Sequence, residues 1–149
     1  MKALILFGTL TGNTEQVADH LYNDASAKYS SIEFELKDVN DITPADLNNY
    51  DIILWGVSTY GEGEINPAAI DFFDDLQAAE IDLSSKKNAI FALGESTYEH
   101  FCGAADVVEG ILKSKGGSLI APIHKIDGYP DDEILAGVVA WADGFLGSL

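Results

Sequence analysis

Ala3-Leu4-Ile5-Leu6-Phe7 runs without a polar residue into Gly8-Thr9-Leu10-Thr11-Gly12-Asn13-Thr14, and a helical pattern follows from about Glu15. This junction constrains the chain more than any other stretch, because it reads as a buried strand turning tightly into a helix N-terminus. A helix N-terminus presents unpaired N–H groups and a partial positive charge, which suits an anion. The hydroxyls of Thr9, Thr11 and Thr14 add donors, and no Lys or Arg lies in the stretch. Two readings stand side by side here: a phosphate cradle built from neutral groups, or an ordinary capped helix start, where Ser, Thr and Asn are common.

The same alternation continues along the chain. Residues 52–57 and 89–93 are further short apolar runs, the signature of strands covered on both faces. Ile32-Glu33-Phe34-Glu35-Leu36-Lys37 alternates apolar and charged residues, which places it at a sheet edge with one wet face. Leu119-Ile120-Ala121-Pro122-Ile123 carries a proline and fits the other edge. Helical stripes fall between these runs. They comprise residues 14–28, a segment opened by Pro67 with Ala69, Phe72, Phe73 and Leu76 inward, a segment from Gly103 to Lys115, and one after Pro130 capped by Asp131. Thr43-Pro44 starts a short turn. Strands alternating with helices predict an α/β fold, a parallel sheet with helices on both faces. The length of 149 residues, with no repeat or linker, predicts one domain over 1–149.

Charge and cysteine content narrow the function. There are 25 acidic and 8 basic residues, all of the latter Lys, for a net charge of −17. Nucleic acid and anionic membranes need basic patches, so neither is an expected partner. Partners with basic faces are. The lone Cys102 excludes an internal disulfide and fits a reducing cytoplasm. No run approaches a membrane span, and the start of the chain leads straight into a strand, so no signal peptide is expected. No spacing of His, Asp or Glu suggests a metal. Trp55, Trp141 and Phe7 read as core, and His20 and His124 as surface residues.

In such a sheet, ligands bind beyond the carboxyl ends of the strands. Two further loops lie on that rim: Ser58-Thr59-Tyr60-Gly61-Glu62-Gly63-Glu64, and Gly94-Glu95-Ser96-Thr97-Tyr98-Glu99-His100-Phe101-Cys102-Gly103. Each sets a tyrosine beside glycine or small polar residues, so the rim offers a phosphate seat between two aromatic plates. Three other phosphate folds fail on the letters. A nucleotide-hydrolysing loop needs four residues between its glycines and then Lys, whereas Gly8 and Gly12 are separated by three and Asn13 follows. The glycine spacing of a dinucleotide-binding turn is absent. The carboxylates of a phospho-receiver are replaced by Gly8-Thr9 and Ser58-Thr59.

These residues resemble the flavodoxins, specifically the short-chain ones. The phosphate motif Ser/Thr-x-Thr-Gly-x-Thr is matched by Thr9-Leu10-Thr11-Gly12-Asn13-Thr14. The likeness continues in Ser58-Thr59-Tyr60-Gly61, in Gly94 to Glu99 and in Phe101-Cys102-Gly103, and residues 118–126 lack the insertion of long-chain members. The resemblance implies a doubly wound five-stranded sheet of order 2-1-3-4-5 with FMN at the switch between strands 1 and 3, a placement for which flavodoxin is itself the standard example. It implies that residues 9–14 hold the FMN phosphate through backbone N–H groups, the three threonine hydroxyls and Asn13. Ser58 and Thr59 would approach the phosphate or ribityl chain. Tyr98 would stack on the outer flavin face and Tyr60, where relatives usually carry Trp, on the inner face. The backbone around Gly94, Glu95 (often Asp in relatives), His100, Phe101 and Cys102 would bond the pyrimidine edge, with Cys102 acting through its N–H. The Gly61 carbonyl would turn toward flavin N5–H in the half-reduced state.

Function follows from that resemblance. Flavin does the redox chemistry and the protein tunes it. Each carboxylate roughly 10 Å from a reduced, anionic flavin disfavours it by about 0.4 kcal/mol in a water-like dielectric. Glu62, Glu64, Glu95 and Glu99 together would add on the order of 1–2 kcal/mol. The expectation is a low-potential, one-electron carrier, monomeric and cytoplasmic. It would shuttle electrons from a ferredoxin/flavodoxin-NADP reductase type of donor to low-potential acceptors. No residue would act as acid, base or nucleophile. The alternatives are a flavin-dependent quinone or NAD(P)H reductase, and a non-redox interaction module on the same fold.

Overall fold

Apolar runs with no polar face must be covered on both sides, and the fold does this by winding helices over each face of one sheet. The computed structural model describes residues 1–9, 11–60, 63–95 and 102–149. The elements run β1 (Lys2–Phe7), α1 (Asn13–Lys28), β2 (Glu33–Asp38), two 3-10 segments (Val39–Asp41 and Pro44–Asn49), β3 (Ile52–Tyr60), β4 (Glu64–Ile65), α2 (Ile70–Ala78), β5 (Lys87–Gly94), α3 (Gly103–Ser114), β6 (His124–Asp127) and α4 (Asp132–Leu146). The sheet order is β2-β1-β3-β5-β6, all parallel. The two-residue β4 folds back antiparallel on the end of β3, pairing Thr59 with Ile65 and Tyr60 with Glu64. With that arm set aside, the order is the expected 2-1-3-4-5.

Side chains alternate along each strand, so every apolar run feeds two cores. Leu4, Leu6, Ile53, Trp55, Val57, Ile90 and Ala92 pack with Phe72, Phe73, Leu76, Val108, Ile111 and Leu112 from α2 and α3. Ala3, Ile5, Phe7, Ile52, Leu54, Ala89, Phe91 and Leu93 pack with Val17, Leu21, Leu135, Val138, Ala142 and Phe145 from α1 and α4. The helix starts follow local chemistry. Asp131 caps α4, its side chain accepting from the Ile134 N–H at 2.9 Å. Thr43 and Asp46 form a reciprocal capping box on the second 3-10 segment. At the far end of the sheet, Tyr29 and Lys28 from the end of α1 both hold Asp143 of α4, at 2.6 and 3.0 Å.

Three local expectations change. The last strand forms at His124–Asp127, not over residues 119–123. Pro122 has no N–H for the ladder, and its carbonyl accepts from Trp141 Nε1 at 2.9 Å. Only a single bridge, Asn88 to Leu119, precedes it, and pairing with Phe91–Gly94 begins at His124. The helix expected to open at Pro67 begins at Ile70, and Pro67 stands in the turn before it, closed by Ala69 N–H donating to the Asn66 carbonyl at 3.0 Å. His124, expected at the surface, is half-buried and stacks on Trp141 with ring centroids 5.5 Å apart. Trp55 is buried in the first core and Phe7 in the second, as expected; Trp141 is half-buried against the second, and His20 is exposed.

Candidate functional site

The carboxyl ends of β1, β3 and β5 bring the three loops to one rim. In the first, Gly8 N–H donates to the Gly56 carbonyl at 3.1 Å, carrying the β1–β3 ladder one residue past the strand. Gly12 then adopts φ 94°, a left-handed conformation that side chains resist, and so aims the chain into α1. Thr9 Oγ1 accepts from the Gly12 N–H at 2.9 Å, which fixes the turn from within. No side chain caps α1. The first helical bond runs from Gln16 N–H to the Gly12 carbonyl, so the N–H groups of Asn13, Thr14 and Glu15 have no partner within the helix. Thr14 is buried, Thr11 is exposed, and Thr9 and Asn13 are half-buried. Leu10 lies outside the described residues.

Among the described residues no side chain caps the helix. The Thr9 hydroxyl accepts from Gly12, the residue before the helix, and leaves the first helix N–H groups without a side-chain partner there. Open N–H groups, threonine hydroxyls and the positive end of a 16-residue helix suit a phosphate.

In the second loop, Ser58 and Thr59 point to opposite faces of β3. Thr59 Oγ1 accepts from Ala104 N–H at 3.2 Å, so this hydroxyl serves the start of α3. Ser58 Oγ accepts from Asn66 Nδ2 at 2.7 Å. Tyr60 is 49% exposed, an aromatic face open on the rim. Gly61 and Glu62 lie outside the described residues.

In the third loop, Gly94 is half-buried and Glu95 exposed. Ser96 to Phe101, including the sequence-predicted site residues Tyr98, His100 and Phe101, lie outside the described residues. Cys102 is fully buried with φ 55°. A Cβ on Gly94 would come within 3.0 Å of the Cys102 nitrogen, so glycine permits this approach. Burial pushes the Cys102 thiol up to about 11, and its Sγ lies 3.5 Å from the Ala92 carbonyl. A thiol buried in this way keeps its proton at neutral pH. The second and third loops meet where a Cβ on Gly103 would stand 2.7 Å from Gly63 Cα.

Asn66 is the residue that the loop motifs did not reveal. It is buried, and its Nδ2 reaches both the Gly8 carbonyl at 3.1 Å and Ser58 Oγ. The available signal was Asn66-Pro67, a dipeptide that favours turn initiation directly after the second loop. Among the described residues, no cluster of His, Cys, Asp and Glu could hold a metal ion.

The donor set therefore fits FMN: an uncapped helix end for the phosphate, an exposed tyrosine for the ring, and, among the described rim residues, no cation of the kind a triphosphate site needs. Residues 5–141 match the family described as Flavodoxin. The chain is 44% identical over 147 residues to a flavodoxin of Maridesulfovibrio salexigens, covering 96% of this chain and 95% of that one. It is 35% identical over 133 residues to a probable flavodoxin of Bacillus subtilis, covering 89% and 85%. Among solved structures, oxidised flavodoxin 2 of Bacillus cereus superposes with a TM-score of 0.89 at 34% identity, covering the whole of both chains. The chain belongs to the flavodoxin family, electron-transfer proteins that carry electrons on FMN and exchange them with redox partners such as reductases.

Proposed function

We propose that residues 9–14 seat the FMN phosphate in this chain and that the rim around Tyr60 carries the flavin ring. The observation that supports this most directly is the open N-terminus of α1 behind the left-handed Gly12. The N–H groups of Asn13, Thr14 and Glu15 would bind phosphate oxygens, with the Thr9, Thr11 and Thr14 hydroxyls and the Asn13 side chain completing the shell. Bound FMN supplies the one-electron chemistry. The protein's residues bind and orient it. By the family resemblance, Tyr60 and Tyr98 would flank the ring, the backbone of Gly94, Glu95, His100, Phe101 and Cys102 would bond its pyrimidine edge, and the Gly61 carbonyl would serve N5–H. Thr59 Oγ1 accepts from the start of α3, which leaves its own proton to donate toward the phosphate or ribityl chain. Glu64 and Glu95, both exposed on this rim, oppose added negative charge on the ring and favour a low potential.

The unit works as one domain and as a monomer. Its net charge of −17 selects donors and acceptors with basic docking faces, a ferredoxin/flavodoxin-NADP reductase type of donor among them. A cytoplasmic setting fits the single thiol, and no described helix is long and apolar enough to cross a membrane.

Thr11→Asp tests the seat, because it sets a carboxylate against the phosphate. FMN affinity should fall at least tenfold while riboflavin, which has no phosphate, loses far less. Unchanged FMN affinity would remove the seat from residues 9–14.

A further inference from the structure

The buried amide of Asn66 joins the start of the phosphate loop to the end of β3, and its hydrogen bonds have only one consistent direction. The Gly8 carbonyl can only accept, so the atom 3.1 Å away must be the amide nitrogen. That nitrogen carries two hydrogens, and its second contact is Ser58 Oγ at 2.7 Å. Ser58 must therefore accept from Asn66, which turns its own proton away from the amide. No acceptor for that proton exists among the described residues. The other end of the amide, Oδ1, is buried without a partner among the described residues. An amide with one orphaned end is retained for what its donating end does, because an apolar side chain would fill the space without leaving a buried acceptor unpaired.

Asn66 also sits where this matters. It follows β4, whose pairing with Thr59 and Tyr60 closes the second loop, and its backbone carbonyl accepts from Ala69 N–H at 3.0 Å ahead of α2. One residue thus holds the exit of β1, the rim end of β3 and the entry to α2.

We propose that Asn66 is a positioning residue for the phosphate seat. By donating to both Gly8 and Ser58, it fixes the first loop against β3 and commits the Ser58 hydroxyl to donate toward the anion. This rests on the reading that residues 9–14 seat the FMN phosphate. It adds a polar residue outside all three loop motifs that acts on the ligand without touching it.

The test measures FMN and riboflavin dissociation constants by flavin fluorescence quenching on the full-length chain and on Ser58→Ala, Asn66→Ala and the double variant. Riboflavin shares the ring and ribityl chain and lacks only the phosphate. Asn66→Ala should weaken FMN by about tenfold, the worth of one hydrogen bond to a charged group, and riboflavin by less than about twofold. Ser58→Ala should do the same, and the double variant should lose less than the product of the two single losses, because one arm of Asn66 acts through Ser58 and the other through Gly8. Equal losses for FMN and riboflavin in Asn66→Ala would overturn the proposal and leave Asn66 a purely structural residue. So would multiplying losses in the double variant. If Ser58→Ala leaves the FMN-to-riboflavin ratio unchanged, Ser58 does not reach the phosphate, and the proposal falls with that contact. The Thr11→Asp experiment tests the seat separately. Should Asn66→Ala not fold, Asn66→Leu, close in volume and without donors, carries the same comparison.

Discussion

Gly8 faces Ala69 so closely that a Cβ on Gly8 would stand 2.5 Å from the Cβ of Ala69. The first loop leaves β1 beneath the start of α2, and the contact allows no methyl group. Val39, whose Cγ2 would lie 3.3 Å from the same point, closes the other side. The glycine is needed here for space, whereas Gly12 is needed for its backbone angle.

Gly8→Ala should therefore destabilise the protein by about 1–3 kcal/mol through overpacking. Urea denaturation measures this, and Ala69→Gly in the same chain should recover part of the loss. A Gly8→Ala midpoint equal to that of the parent would show that α2 shifts without cost.

At Gly12 the opposite pattern is expected. Among the described residues nothing lies within 4 Å of where a Cβ would stand, but φ is 94°. Gly12→Asn should be mild, because asparagine visits left-handed backbone, while Gly12→Val should cost on the order of 1–2 kcal/mol and weaken FMN binding by misaiming α1. Equal effects from Asn and Val would point to crowding instead of backbone conformation.

Cys102 sets a stability slope at high pH. Burial raises its thiol from 9.0 to about 11, so the folded chain keeps the proton while the unfolded chain releases it. The unfolded state then binds fewer protons between pH 9 and about 11, and stability falls as pH rises through that window. The difference between the parent and Cys102→Ser denaturation midpoints should carry this slope. The native thiol should also resist a disulfide reagent at neutral pH and react once the chain unfolds.

His124 does the reverse in mild acid. Burial lowers its pKa below the ordinary 6.5, so the unfolded chain takes up the proton first. Stability contributed by neutral His124, stacked on Trp141, is present above pH 6.5 and is lost as pH falls from there toward the lower folded value. His124→Phe keeps the stack and should flatten that part of the pH–stability curve. An unchanged slope would mean that His124 titrates alike in both states.

Electron exchange with a basic redox partner should slow as salt rises, because a net charge of −17 steers encounter and the Debye length shortens from about 10 Å at 0.1 M to about 3 Å at 1 M. Stopped-flow rates across that range check it. A rate independent of salt would mean that the acidity serves solubility rather than docking.

What the chain determined by itself is the part that depends on periodicity. Unbroken apolar runs at residues 3–7, 52–57 and 89–93 can only be satisfied by strands covered on both faces, and the helical stripes between them supply the cover. The hydroxyl-rich turn of residues 8–14 was legible for the same reason, since its chemistry is local to seven consecutive residues. Tertiary structure decided everything that depends on which groups meet. Pro122 gave its carbonyl to Trp141, and the last strand moved downstream. Thr59 and Ser58, adjacent in sequence, parted to opposite faces, one to α3 and the other to Asn66. Asn66 carries no pattern in its own neighbourhood beyond a turn signal. It acquires its place only when β4 folds back on β3 and brings its amide between the Gly8 carbonyl and the Ser58 hydroxyl, because a hydrogen bond is set by its partner's position, which a local pattern does not encode.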